Sequence, residues 1–249
     1  AMQLAERKVR LLIEKPLSTS LSDVDRLQEL VAARELTAGV AYVYRAHPAL
    51  AAMRDAIRSG RFGRPVQLVA VCGQNFPTYR PAYRNIYYRD RAMGGGAIQD
   101  ALTHIINAAE WLVGPIDKLV ADAGHQVLDG VEVEDTVDVL ARHDDVMASY
   151  ALNLHQAPNE TTLSVICERG TVRFEVHNRR WMWMESPDSP WMDETQPAME
   201  RDTLFVAQAT AFLDAVEGAK PVLCTLDEGA QTLKVNLAAL ASLDGTGWK

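Results

Sequence analysis

The sequence predicts an α+β fold: a mainly antiparallel sheet with helices on one face, preceded by a short βαβ unit. Three observations carry this. A strand-like run, a helical period and a second strand-like run follow one another within the first 46 residues, the pattern of a parallel pair with a right-handed crossover. Beyond the middle of the chain, β-type runs are joined by tight turns, as hairpins are. Two long helical periods close the sequence.

Each element has its own signal. VRLLI within KVRLLIEKP is an apolar run of β type, stopped by a charged pair and Pro16. SLSDVDRLQELVAAREL reads as a helix with Ser20 or Ser22 as N-cap and with Val24, Leu27, Leu30 and Val31 on its apolar side. TAGVAYVYRAHP reads as the second strand, and ALAAMRDAIRSG as a short helix closed by Gly60. PVQLVAVCGQ is strand-like. The stretch NFPTYRPAYRNIYYRDRAM has no period. Its density of Tyr79, Tyr83, Tyr87 and Tyr88 with Arg80, Arg84, Arg89 and Arg91 favours a ligand-facing loop. Ile98, Leu102, Ile105, Ala109 and Leu112 then repeat at helical spacing. IDKLVADAGHQV, VEVEDTVDVLARH, VMASYALNLHQ, TTLSVICERGTVRFEVH and RRWMWME supply the hairpin strands, with turns at Asp144 and at Arg169-Gly170. DSPWMDETQPAMERD reads as loop, and TLFVAQATAFLDAVEG and LDEGAQTLKVNLAALASL as the closing helices.

Bulk properties narrow the function. The 249 residues suit one large domain or two small ones, and 48% hydrophobic with 23% charged residues is enough for a real core. A net charge of −8 and a pI near 5.3 argue against nucleic acid or an anionic membrane as partner. No apolar run is long enough for a membrane span, and AMQLAERKVR lacks a signal-peptide core, so a cytoplasmic location is expected. Ala1 ahead of Met2 reads as a residue left by a tag. Cys72, Cys167 and Cys224 fit no CxxC pattern and read as buried thiols. His47, His125, His143, His155 and His177 have no metal-ligand spacing, so no metal is expected. Trp181, Trp183 and Trp191 read as cover for a sheet face or a subunit contact.

The chemistry concentrates in GGGAIQDALTH, residues 94–104. A dinucleotide fingerprint needs G-x-G-x-x-G between a strand and a helix, and neither this segment nor any other supplies it. Glycines at a helix entry instead allow close backbone approach and offer N–H groups to a ligand. Asp100 and His104, four residues apart, fall on one side of the helix, where a carboxylate can orient or charge an imidazole; a structural pair is the plainer reading. Glu14-Lys15-Pro16 places a lysine at the carboxyl edge of a parallel strand, where α/β proteins bind ligands, or else beside a surface turn. Lys15–Pro16 is a candidate cis peptide.

In this order and spacing, EKP, YVYRAHPAL, SGRFGRP and GGGAIQDALTHIIN resemble the Gfo/Idh/MocA oxidoreductases, from about residue 9 to the C-terminus. The resemblance implies NAD- or NADP-dependent hydride transfer at a hydroxyl-bearing carbon of a sugar-like substrate. It implies Lys15, Asp100 and His104 as catalytic residues, with His104 as acid or base, Lys15 polarising the oxygen, and Asp100 binding a neighbouring hydroxyl or tuning the histidine. Glu14, Lys15 and Pro16 would face the cofactor. Arg80, Tyr83 and Arg84 are substrate-loop candidates on composition and placement alone. Two departures accompany the likeness. Asn107 stands where many relatives carry an acid, and EKP comes at residue 14, so roughly 90 residues of βα units that would hold the cofactor phosphates are missing.

The expected division is therefore a remnant of a dinucleotide-binding domain at 1–46 and a substrate and oligomerisation domain at 47–249. The expected function is an oxidoreductase chain of weak activity alone, forming homo-oligomers through its sheet. The alternative is a non-catalytic sugar-binding or assembly module descended from such an enzyme; least favoured is a nucleotide domain supplied by another chain.

Overall fold

A computed structural model describes residues 1–200 and 202–245. Strand β1 (Leu11–Ile13) pairs in parallel with β2 (Ala38–Val40), Leu11 opposite Ala38, and helix α2 (Val24–Ala33) connects them. A short helix α1 (Met2–Glu6), which no period announced, precedes β1 and buries Ala5 against α2. Val24 and Leu27 of α2 are buried, with Leu30 and Val31 partly so. Its N-cap is Asp23, not Ser20 or Ser22; Asp23 takes a left-handed φ of 60° and its side chain caps nothing. β2 is shorter than TAGVAYVYRAHP suggested. After Val40 the chain turns into a 3-10 segment, Val43–Ala46, because Tyr42 and Arg45 are drawn inward by tertiary hydrogen bonds to Thr103 and Asn107.

Helix α3 (Pro48–Arg58) leads to the main sheet, and a single-turn helix α4 (Phe76–Tyr79) follows the first strand of that sheet. Its eight strands are β3 (Pro65–Gly73), β4 (Lys118–Gly124), β5 (Thr136–His143), β6 (Val146–Asn153), β7 (Glu160–Cys167), β8 (Gly170–Glu175), β9 (Arg180–Met184) and β10 (Met192–Thr195). They lie in the order β10-β9-β8-β7-β3-β6-β5-β4. Every pairing is antiparallel except β3 with β6. β10 occupies the stretch read as loop. All four of its residues are exposed at the sheet edge, so they carry no apolar alternation to reveal a strand.

Alternation elsewhere is clean. Val137, Val139 and Ala141 of β5 face inward with Ala148, Tyr150 and Leu152 of β6, while Leu140, Met147, Val71 and Val120 face outward and are exposed. Helix α5 (Thr103–Val113) lies on the inner face and buries Ile105, Ile106, Ala109 and Leu112; each large side chain contributes on the order of 2 kcal/mol. α3 covers β8 and β9, where Trp181 and Trp183 stack at 4.5 Å, as sheet cover should. Helix α6 (Thr203–Val216) contacts the 3-10 segment. The last helix, α7 (Leu226–Gly245), touches β4 and α5 on one side and β2 and α2 on the other. Ala230 and Leu233 pack on Val24, so the closing helix ties the first 46 residues to the sheet. All three cysteines are buried and unpaired. Among the described residues no helix is long and apolar enough to cross a membrane.

Candidate active site

Lys15 stands just beyond β1, and the Lys15–Pro16 peptide is cis, as the sequence suggested. Its ammonium donates to Asp100 twice, to the carboxylate Oδ1 at 2.9 Å and to the backbone carbonyl at 2.7 Å. Pro16 lies over Gly94. The two motifs that were separate in sequence are thus one site.

The glycines make that meeting possible. A Cβ on Gly95 would sit 2.1 Å from the Tyr88 carbonyl oxygen, and one on Gly96 would sit 2.4 Å from Glu134 Oε1. Close approach was expected, but free N–H groups are not found. The amides of Gly94, Gly95 and Gly96 donate to Arg91, Asp90 and Tyr88 carbonyls, and Ala97 donates to Glu134. These donors are already used, so the run is a packing device and not a ligand cradle. Next comes a π-helical turn, Ile98–Leu102, in which Thr103 N–H donates to the Ile98 carbonyl five residues back; α5 continues from it. Such turns widen the helix and re-aim its side chains.

Asp100 is the hub. Beside Lys15, its Oδ2 accepts from the Arg80 guanidinium at 2.7 Å and its Oδ1 from the Tyr87 hydroxyl at 2.6 Å. Burial by itself would raise this carboxyl, but Lys15, Arg80 and the Tyr87 hydrogen bond outweigh it and hold it below the usual carboxylate range. Asp100 is therefore a fixed anion whose partners are assembled from β1, the arginine-rich loop and the π turn.

His104 sits one turn on, between Tyr42 and Tyr44, with ring centroids at 6.0 and 5.6 Å. It has no hydrogen bond to Asp100, and its Nδ1 is buried without a partner. Burial, then the Lys15 charge, push its pKa down to about 3, so the ring is neutral at physiological pH. Both Asp100 and His104 line a cavity of about 480 Å³, closed on other sides by Tyr44, Phe76, Arg80 and Leu154. A buried unpartnered ring nitrogen beside a cavity and a fixed ion triad is a place where a polar ligand gains hydrogen bonds.

Other expectations fare differently. Arg80 belongs to the cavity, but Tyr83 is buried, and its hydroxyl donates to the Asp129 carbonyl at 2.9 Å. Arg84 lies on Tyr83 and 3.8 Å from Asp129, away from the cavity lining. Tyr83 and Arg84 are therefore anchors of the loop, because Phe76, Tyr83 and Tyr88 form an aromatic cluster beneath it. Glu14 is exposed and does not line the cavity. Asn107 accepts from Arg45 at 2.8 Å and donates to Thr232 at 3.0 Å, a structural tie between α5, the 3-10 segment and α7. Sequence reading missed Tyr44 and the cavity wall formed by Asn159, Glu160, Thr161 and His177. The wall has no motif; the β3–β7 pairing, with Gly73 opposite Glu160, assembles it. Among the described residues no group of three potential ligands is placed to hold a metal.

Residues 50–173 match the profile of the GFO/IDH/MocA C-terminal domain. A dTDP-3,4-didehydro-2,6-dideoxy-alpha-D-glucose 3-reductase of Saccharopolyspora spinosa is 32% identical over 53% of this chain, a match that spans only 39% of that enzyme. A 1,5-anhydro-D-fructose reductase of Ensifer adhaerens is 28% identical over 92% of this chain and 68% of its own length. Among solved structures, levoglucosan dehydrogenase in complex with NADH and levoglucosan has a TM-score of 0.86 at 19% identity, covering 98% of this chain and 74% of that one, a likeness of fold. The chain belongs to the Gfo/Idh/MocA family.

Proposed function

We propose that this chain is an NAD- or NADP-dependent oxidoreductase acting at a hydroxyl-bearing carbon of a sugar or polyol, and that it works as a homo-oligomer. The observation that carries the reading is that Asp100, bound by Lys15, lines one polar cavity together with His104. Relatives named for dehydrogenation or reduction of sugars support it, as do NADH-bound structures of the same fold. Residues 1–46 would be the cofactor-facing part and 47–249 the substrate part.

A nicotinamide ring would find polar contacts in the Lys15 ammonium and the unpartnered His104 Nδ1, with Glu14, Lys15 and Pro16 on its side. No residues for the cofactor's pyrophosphate are recognisable, since no G-x-G-x-x-G run occurs in the sequence. When bound, the cofactor supplies or accepts the hydride. The chain's own work is positioning and one proton. Asp100, held ionised, fixes the Lys15 ammonium, and Lys15 donates to the substrate oxygen. His104, held neutral, accepts the hydroxyl proton. A base depressed to about 3 is too weak to deprotonate an alcohol in advance. The role of His104 would be to accept that proton as the carbon is oxidised, when the hydroxyl has become far more acidic than an alcohol.

The test uses reduced cofactor deuterated at the transferred position, incubated with this chain and a panel of keto-sugars. Deuterium at the new carbinol carbon, lost in Lys15→Met and in His104→Gln, is the expected result. Absence of label under every condition, with sugar binding intact, would instead support a binding module.

A further inference from the structure

The far wall of the cavity assigns a charge class to the substrate. Asn159, Glu160 and Thr161 enter it from the start of β7, Gln74 from the end of β3, and His177 from just beyond β8. Gln74 donates to Asn159 at 3.4 Å, and His177 Nδ1 lies 3.3 Å from the Thr161 carbonyl. Glu160 meets only the Gln156 amide, at the long distance of 3.5 Å, and among the described residues no cation lies within ion-pair reach of it. The wall is a row of hydrogen-bonding groups with one uncompensated carboxylate.

Of the cations, Arg80 lines the same cavity, and Lys15 is bound to Asp100, which lines it. Both Lys15 and Arg80 are held by Asp100, at 2.9 and 2.7 Å. An anionic ligand would have to compete with Asp100 for them while sharing the cavity with the Glu160 carboxylate. A neutral polyol meets neither cost, and its hydroxyls can donate to Glu160, which accepts from two neighbours at once.

We propose that Glu160 is a specificity-determining residue, and that the site takes neutral or amino sugars while rejecting those that carry a carboxylate or phosphate inside the cavity. The inference rests on the sugar oxidoreductase reading and refines it. The whole chain is titrated, by amide chemical-shift perturbation at low salt, with four probes on one scaffold: D-glucose, D-glucosamine, D-glucuronate and D-glucose 6-phosphate. Glucose and glucosamine are expected to shift resonances around Thr161 and His104, with the two anions at least about ten-fold weaker. In Glu160→Gln the gap closes by about three-fold or more, and in the unchanged protein added salt narrows it. The salt series stands even if the variant were to fold poorly. Anions binding as tightly as glucose, or a gap indifferent to Glu160→Gln and to salt, overturns the charge selection and leaves the oxidoreductase reading intact. If none of the four probes binds, that reading falls, and this inference falls with it.

Discussion

Lys15 and Asp100, 85 positions apart in sequence, are joined by a 2.9 Å ion pair and a 2.7 Å bond to the Asp100 carbonyl. The pair is asymmetric: the Asp100 side chain is 1% exposed, while Lys15 is 12% and Arg80 47% exposed. Removing the anion frees two cations that can reach water. Removing Lys15 leaves a buried carboxylate with one cation fewer. Lys15→Met is therefore expected to cost about 2–3 kcal/mol and Asp100→Asn somewhat less, after discounting for the exposure of the cations. Urea unfolding midpoints of the two variants check the order. Asp100→Asn being the more damaging would show that the carboxylate's hydrogen bonds, and not its charge, dominate.

Buried histidines set the acid limit of stability. Burial lowers His47 to about 4, and burial with the Lys15 charge lowers His104 to about 3; burial also lowers His143. These groups bind protons more readily unfolded than folded, so their contribution is present above the unfolded value near 6.5 and is lost as pH falls toward the folded ones. Folding stability should fall between pH 6.5 and 4, by on the order of 2 kcal/mol for each of His47 and His104. His47→Gln should flatten that slope, read from denaturant titrations at stepped pH. An unchanged slope would assign the acid transition to the carboxylates.

Tyr83 shows what composition can and cannot say. The aromatic and arginine-rich loop was read as ligand-facing from composition, and Arg80 and Tyr87 reach Asp100 from it. Which tyrosines face inward was not legible, because the loop folds as a series of short 3-10 turns with no repeating period. Tyr83→Phe should cost about 1 kcal/mol for the lost bond to Asp129, and Tyr83→Ala about 3–5 kcal/mol for the emptied cluster. Tyr83→Phe should leave sugar affinity unchanged, whereas Arg80→Ala should weaken it. A loss of sugar affinity in Tyr83→Phe would return this residue to the site.

The outer sheet face bears on the proposed oligomer. Leu140 and Met147 are 63% and 53% exposed, with Val71 and Val120 on the same open side. VDVLARH and VMASYALN were legible as hairpin strands, since β-type runs joined by a tight turn need no tertiary help to be recognised. The exposed β10 was unreadable for the opposite reason. Sedimentation should find a dimer or larger assembly that Leu140→Asp with Met147→Asp shifts to monomer. A monomeric unmodified chain at micromolar concentration ends this proposal.

The three glycines rank themselves by what surrounds each. Gly94 has a φ of +86°, but a Cβ there would meet its nearest atom, in Pro16, only at 3.5 Å; Gly94→Ala should cost about 1 kcal/mol, the strain of the backbone alone. Gly95 would drive its Cβ into the Tyr88 backbone at 2.1 Å, where nothing flexible can yield. Gly96 combines both penalties, a φ of +89° and a Cβ 2.4 Å from the Glu134 carboxylate, which itself holds Arg91 at 2.8 Å. Gly95→Ala and Gly96→Ala should each cost more than about 3 kcal/mol. Because Gly96 accepts from the Asp100 amide, they should also displace the carboxylate from Lys15. Thermal unfolding gives the ranking, and the chemical shift of the Lys15 ammonium protons reports the displacement. A Gly95→Ala protein as stable as the parent would mean that the loop carrying Tyr88 moves freely.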